Sequence, residues 1–240
     1  MAEETMQCSD VLIQTDQDIE VQPHGPRSQA LLEKGDHALF GVSTGNSYFS
    51  RERMARALSW ATTRFEAVDV VYADLFLDSV SEALGHDPDS ARRSASKKLE
   101  GVRRRLRGAL EDVGDAATRV RCRPLSAFVA EPAYQEVNAR TQDALRTDME
   151  LRSGREQMAH SFLGHQLGSA SPTAAQMKVS LDYVDAELPF IIDTPHILGV
   201  TSSVHCYHSL LELGRLLFSD RAKGLRPAAN QGYAVVACQG

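Results

Sequence analysis

Residues His37 to Phe49 read HALFGVSTGNSYF, an apolar run that stops at a serine and enters a turn rich in glycine, asparagine and serine. A strand ending there holds the Ser43 hydroxyl at the carboxyl edge of a sheet, where the amides of a following helix can face a developing negative charge. Gly41 and Gly45 leave room for a bulky acyl group to approach the backbone, and Asn46 adds a side-chain donor. This junction proposes a nucleophile. Tyr183 and Glu187 stand four residues apart, on one face of a helix. A phenol beside a carboxylate can hold a primary ammonium, and a desolvated carboxylate can then accept a proton from it. By spacing alone, an ordinary solvated surface pair is the more economical reading. A third cluster, His205-Cys206-Tyr207-His208, follows Thr201-Ser202-Ser203. Alternation along a strand sends His205 and His208 to opposite faces, which argues against a metal site.

The elements that must position these groups alternate between strand and helix patterns. A chain of 240 residues that is 42% hydrophobic can build a real core, and one domain is expected. The segment 1–30, with its acids ahead of Arg27 and a Pro23-His24-Gly25-Pro26 break, reads as a mobile polar tail before a single catalytic α/β domain over 31–240. Strands are expected at 37–43, 68–73, 118–123, near Ile191, near Val204 and at 233–237. Helices are expected from the Ser50 cap to Phe65, over 76–84, through a basic segment, over 132–168, and from Ser171-Pro172-Thr173 to Leu188, where Pro189 ends the helix. A last helix covers 210–219. Strand-helix-strand units of these lengths imply a Rossmann-like, doubly wound and mainly parallel sheet flanked by helices. Nothing approaches the roughly 20 apolar residues of a membrane span, and MAEETMQCSD lacks the pattern of a secretory signal, so a cytoplasmic protein is expected. Cys8, Cys122, Cys206 and Cys238 form no CxxC pair, and reduced thiols are the default.

Charge is distributed unevenly. Residues 91–107, ARRSASKKLEGVRRRLR, hold eight basic residues against Glu100 alone, a local +7 in a chain of net charge −6. On a helical wheel Ala95, Leu99, Val102, Leu106 and Ala109 form an apolar stripe, with Arg93, Lys97, Arg104 and Arg107 opposite. A one-sided ridge on an otherwise acidic chain suits contact with a phosphate backbone.

Together these clusters resemble the cyclodipeptide synthase family. The resemblance rests on His37-Ala38-Leu39-Phe40-Gly41-Val42-Ser43 with Asn46-Ser47-Tyr48-Phe49 behind it, on Tyr183-Val184-Asp185-Ala186-Glu187-Leu188-Pro189, and on Tyr207-His208. Asn46, Tyr207 and His208 together look like the Asn-Tyr-His branch. Phe40 stands where Leu, Val or Ile is usual. The resemblance implies a fold similar to the class I aminoacyl-tRNA synthetase catalytic domain without amino-acid activation. No HIGH-like or KMSKS-like segment and no GxxxxGK[ST] loop is present, so neither ATP nor a metal is expected as cofactor. It further implies two aminoacyl-tRNAs as substrates, a 2,5-diketopiperazine as product, and tailoring enzymes downstream as partners, with no membrane and no DNA. Arg93, Lys97, Lys98, Arg103, Arg104 and Arg107 would grip the tRNA acceptor arm. Ser43 would become acylated, Tyr183 and Glu187 would anchor the α-ammonium, Gly41 and Asn46 would shape the acyl site, and Tyr207, positioned by His208, would relay protons. By the same resemblance, Leu39, Val71, Leu125, Phe190 and His205 would line the first aminoacyl pocket, whose mostly apolar walls favour a hydrophobic residue. The imidazole there would either bond a polar side chain or serve as a satisfied wall residue.

Two other readings compete. Gly41-Val42-Ser43-Thr44-Gly45 matches the GxSxG elbow of serine hydrolases, but that fold needs several strands ahead of the elbow. A noncatalytic RNA-binding module would account for the basic helix and leave the serine turn and the Tyr/Glu pair unexplained.

Overall fold

The strongest apolar runs become the middle of the sheet. The computed structural model describes residues 14–16, 19–167, 171–219 and 224–238. In chain order these form β1 (Gln14–Asp16), β2 (Ile19–Pro23), α1 (Pro26–Lys34), β3 (His37–Val42), α2 (Arg51–Arg64), β4 (Ala67–Tyr72), α3 (Leu77–Ala83), α4 (Pro88–Val113), β5 (Val120–Pro124), α5 (Pro132–Thr147), α6 (Met149–Leu167), α7 (Ala174–Leu198), β6 (Ser203–Tyr207), α8 (Glu212–Leu217) and β7 (Gln231–Cys238). The sheet has seven strands in the order β1-β2-β7-β6-β3-β4-β5. From β7 to β5 every neighbouring pair is parallel, while β2 joins β7, and β1 joins β2, antiparallel. Strands with helices on both sides are buried on both faces, which is why β3 and β4 are almost continuously apolar.

Chain order reverses at β3. The chain adds β4 and β5 on one side of it and returns to lay β6 and β7 on the other. The carboxyl ends of β3 and β6 therefore flank a switch point, where crossovers diverge and leave a crevice. Val42, Phe49, Met54, Leu58, Val102 and Leu106 share a core between one sheet face and the helices α2 and α4. On the other side, Leu145, Leu151, Tyr183, Leu188, Ile192 and Leu213 build the core of α5 to α8.

The other end of β3 is closed by a buried polar cluster. His37 Nδ1 lies 2.8 Å from Ser203 Oγ and its Nε2 lies 3.0 Å from Asp69 Oδ2. Arg121 and Arg123 donate to the same carboxylate at 2.6 and 3.3 Å. Burial acts to raise the Asp69 pKa, but hydrogen bonds from His37 and Arg121 outweigh it and hold the carboxyl below the usual carboxylate range. Four strands are tied together by this one carboxylate and its partners.

Several expectations need correction. The tail expected over 1–30 is not a tail over 19–30, because β2 pairs with β7 from Ile19↔Cys238 to Pro23↔Ala234 and α1 starts at Pro26. Residues 1–13, with Cys8, lie outside the described residues, as does Gly168 at the expected end of the long helix. That helix is two, because Asp148 leaves helical geometry and its carboxylate accepts from the amides of Glu150 at 2.9 Å and Leu151 at 3.1 Å, capping α6. Pro189 does not end α7, and no strand forms near Ile191. The helix runs to Leu198 with one non-helical residue, Asp193. Backbone groups freed at that kink find partners outside the helix: Thr194 N donates to Gln231 Oε1 at 2.8 Å, and Ala228 N donates to Ile192 O at 2.9 Å. Complete burial of Leu188 to Pro195 overrides the local signals.

Candidate active site

Ser43 stands one residue beyond β3, and its setting is a loop fastened from several sides. Residues 43–50 separate the strand from α2 as the expected turn, with Asn46 N on Ser43 O at 3.3 Å. The Ser50 hydroxyl caps α2 by accepting from Arg53 N at 3.2 Å. Thr44 Oγ1 donates to the Ala73 carbonyl, tying the loop to the end of β4. Asn46 Oδ1 accepts from Tyr48 N at 2.9 Å, and its Nδ2 lies 3.3 Å from His208 Nε2. Tyr48 stacks on His208 with ring centroids 4.1 Å apart. Asn46 and His208 thus brace the loop against the segment after β6.

The brace delivers three hydroxyls to one point. Ser43 Oγ is 3.0 Å from Tyr207 OH, and Tyr183 OH reaches it at 3.5 Å. Tyr183 is also hydrogen-bonded to Glu187, as the four-residue spacing on α7 anticipates. Neighbouring helices hold this stretch of α7. Arg155 of α6 grips Asp185 through two bonds of 2.5 and 2.7 Å, Tyr134 of α5 donates to the Ala186 carbonyl at 2.9 Å, and Phe162 stacks on the Tyr183 ring at 4.9 Å. Phe162 and Arg155 escaped the sequence reading because nothing local marks a residue whose partner lies on the next helix. Asp185, two positions from Glu187, was the available hint.

Burial sets the electrostatics. Glu187 keeps some exposure at the cavity mouth but is otherwise enclosed, and desolvation lifts its carboxyl to about 7, against the opposing hydrogen bond from Tyr183. Desolvation likewise raises Tyr207 to about 12 and Tyr183 well above its ordinary value, with the Glu187 charge adding to both. Both phenols are therefore proton donors at neutral pH, beside a carboxyl poised to exchange a proton. Burial lowers His208, consistent with a neutral ring accepting from Asn46.

All five expected pocket residues, Leu39, Val71, Leu125, Phe190 and His205, line one cavity, and Gly41, Glu187 and Tyr207 line it with them. Ala73, Ile191 and Leu211 complete its walls and were not anticipated. The basic helix is α4. Val102, Leu106 and Ala109 of the expected stripe are buried, while Ala95 and Leu99 are only partly so. Lys97, Lys98, Arg103, Arg104 and Arg107 line a broad groove together with Gly45 of the serine loop. Arg93 lies outside that groove lining and donates to Ser90 at 2.9 Å, and Arg103 donates to Tyr72 OH at 3.2 Å. Among the described residues, no histidine hydrogen-bonds Ser43. The Ser203-His37-Asp69 series, which has the residue types of a hydrolase triad, is sealed from solvent at the far end of β3. No described helix is long and apolar enough to cross a membrane.

The fold is a doubly wound sheet related to the class I aminoacyl-tRNA synthetases. The chain belongs to the cyclodipeptide synthase family, whose model matches residues 19–238. It is 40% identical to the cyclo(L-tyrosyl-L-tyrosyl) synthase of Mycobacterium tuberculosis, over 92% of this chain and 76% of that one. To the cyclo(L-leucyl-L-phenylalanyl) synthase of Streptomyces noursei it is also 40% identical, over 88% of this chain and 89% of that one. A crystal structure of cyclo(L-leucyl-L-phenylalanyl) synthase superposes with a TM-score of 0.88 at 38% identity, covering 93% of this chain and 100% of the other. A Mycobacterium tuberculosis structure, described as relating cyclodipeptide synthetases to type I tRNA synthetases, gives 0.84 at 38% identity, covering 95% and 96%.

Proposed function

We propose that this cyclodipeptide synthase works by a ping-pong route through an aminoacyl-Ser43 enzyme. The observation that carries the reading is the Ser43 hydroxyl, 3.0 Å from Tyr207 OH and within 3.5 Å of Tyr183 OH, beside an apolar cavity that Tyr207 and Glu187 help to line. Ser43 Oγ attacks the ester carbonyl of the first aminoacyl-tRNA. Its proton passes by way of the phenols to the departing ribose oxygen, and the acyl group stays on the serine. Tyr183 and Glu187 hold the α-ammonium of the bound residue. The amine of a second aminoacyl-tRNA then attacks the Ser43 ester, which frees the hydroxyl and leaves a dipeptide esterified to the second tRNA. Glu187, close to half ionised at neutral pH, accepts the proton that turns the remaining ammonium into a nucleophile. Attack of that amine on the second ester closes the six-membered ring and releases the second tRNA. Both substrates arrive activated as esters, so the route draws on neither ATP nor a metal.

Lys97, Lys98, Arg103, Arg104 and Arg107 make the tRNA acceptor arm the natural occupant of the groove on α4, since phosphate contacts need cationic side chains and no base readout. Gly45 places the serine loop on the same groove, so an RNA docked there brings its ester to Ser43. A cytoplasmic setting, where charged tRNA is made, fits this reading. Single-turnover labelling tests it. The wild type should retain radiolabel from aminoacyl-tRNA through denaturation and Ser43→Ala should not; an adduct on the alanine variant would overturn the nucleophile assignment.

A further inference from the structure

Among the described residues that line the cavity, His205 is a buried polar group set among the carbon walls of Leu39, Val71, Leu125 and Phe190. It stands on β6 opposite Leu39 in register and is 6% exposed. Its Nδ1 is sealed from water without a hydrogen bond of good geometry. Burial drives the ring down to about 4, the backbone carbonyl of Phe190 pulling weakly the other way, so the imidazole is neutral at neutral pH. A neutral imidazole offers one donor and one acceptor, and leaving such a group unpaired in a protein interior is costly. The Nε2 edge is the side that a ligand can reach. A Cβ on Gly41 would stand 3.6 Å from Nε2, so the missing side chain at position 41 opens that edge to the cavity. The other polar groups lining the cavity, Glu187 and Tyr207, belong to its mouth beside Ser43.

We propose that this cavity selects a tyrosyl group as the first acyl unit, with His205 as the hydrogen-bond partner of the phenol; this rests on the reading that Ser43 carries that unit. Distance excludes short hydroxylated side chains. Gly41 lies on β3 two residues before Ser43, about 7 Å of extended chain, and a serine or threonine side chain anchored at Ser43 stops well short of the imidazole. A six-membered ring with a hydroxyl at its far end spans the gap. Charged side chains are excluded by the walls of Leu39, Val71, Leu125 and Phe190. Leucyl and phenylalanyl groups would cover Nε2 without bonding it. The phenol both donates and accepts, so it meets either tautomer of the imidazole. Phe190, already in edge contact with Phe128 at 5.0 Å, supplies an aromatic wall for the ring.

The test uses the intact protein and one tRNA charged in turn with tyrosine, phenylalanine, leucine or tryptophan, so that RNA contacts stay constant. Intact-protein mass spectrometry follows single-turnover loading of Ser43. Tyrosyl should load at least about 10-fold faster than phenylalanyl, the penalty for stranding a buried polar group. His205→Leu should reverse that ratio, and His205→Gln, which can still donate and accept, should keep part of it. Equal tyrosyl and phenylalanyl rates in the wild type overturn the proposal whatever the variants do, as does faster tryptophanyl loading or an unchanged ratio in His205→Leu. Those outcomes leave acyl-Ser43 chemistry standing. Loading by none of the four overturns this proposal, and the comparison of wild type with Ser43→Ala decides the acyl-serine reading separately.

Discussion

Replacing Glu187 with glutamine should make the protein sturdier as the pH rises while stopping turnover. The carboxyl sits at about 7 in the folded chain against 4.5 in an open one, because burial disfavours its charge more than Tyr183 supports it. Between those two values the folded chain keeps a proton that the unfolded chain has released. Stability therefore falls as pH climbs through this window and levels off above about 7. At about 1.4 kcal/mol per pH unit the whole window corresponds to about 3 kcal/mol, an upper bound because water at the cavity mouth screens part of the charge. Glutamine resembles the protonated form and carries no such slope. From about pH 5.5 to about pH 8.5 the variant should gain about 2 kcal/mol on the wild type, or about 4–8 °C in Tm for a chain of this size. Urea titrations of both proteins across that range read the difference directly. Parallel pH curves would refute the reasoning: Glu187 would then be as well solvated as a surface carboxylate, and the proposed role as a base near neutrality would lose its physical ground.

The polar cluster at the other end of β3 predicts the opposite pH behaviour. Asp69→Asn should cost about 2–4 kcal/mol in a urea titration at neutral pH, because it strips a buried partner from His37 and Arg121. The wild type should lose that advantage only as pH falls below the ordinary Asp value of 3.8 toward the depressed folded one, whereas the Asn variant lacks this acid limb. Lys97→Glu with Arg104→Glu, two cations in the α4 groove, should leave the Tm unchanged, weaken tRNA binding by about 10-fold or more, and lower the salt slope of binding by about 2, as filter binding over a salt series would report.

The candidate site was legible where it is local. Ser43 after an apolar run, Tyr183 and Glu187 at one helical repeat, and the Tyr207-His208 pair could each be read from adjacent residues, and the structure brings them within hydrogen-bond reach or one contact of each other. Elements decided by distant partners were not. The segment Ile-Glu-Val-Gln-Pro does alternate, with Ile19, Val21 and Pro23 buried, but its acids and the Pro-Gly break spoke louder than a five-residue period that matters only because β7 lies beside it. Pro189 and the Ile191-Ile192 pair look like a helix stop and a strand start. Gln231 and Ala228, far along the chain, supply the bonds that let α7 continue. Asp148 was readable as a cap, yet the apolar pattern on both sides of it ran on without a break.

β3 is anchored at both of its ends. His37, its first residue, is bolted to Asp69 and Ser203, and the loop past its last residue is lashed to His208 and Ala73. A strand held at both ends cannot slip by one position without breaking both fastenings and turning every side chain to the wrong face. It behaves as a fixed ruler, with the Ser43 oxygen at its zero mark, and the length of any guest is measured against a scale that the guest cannot stretch.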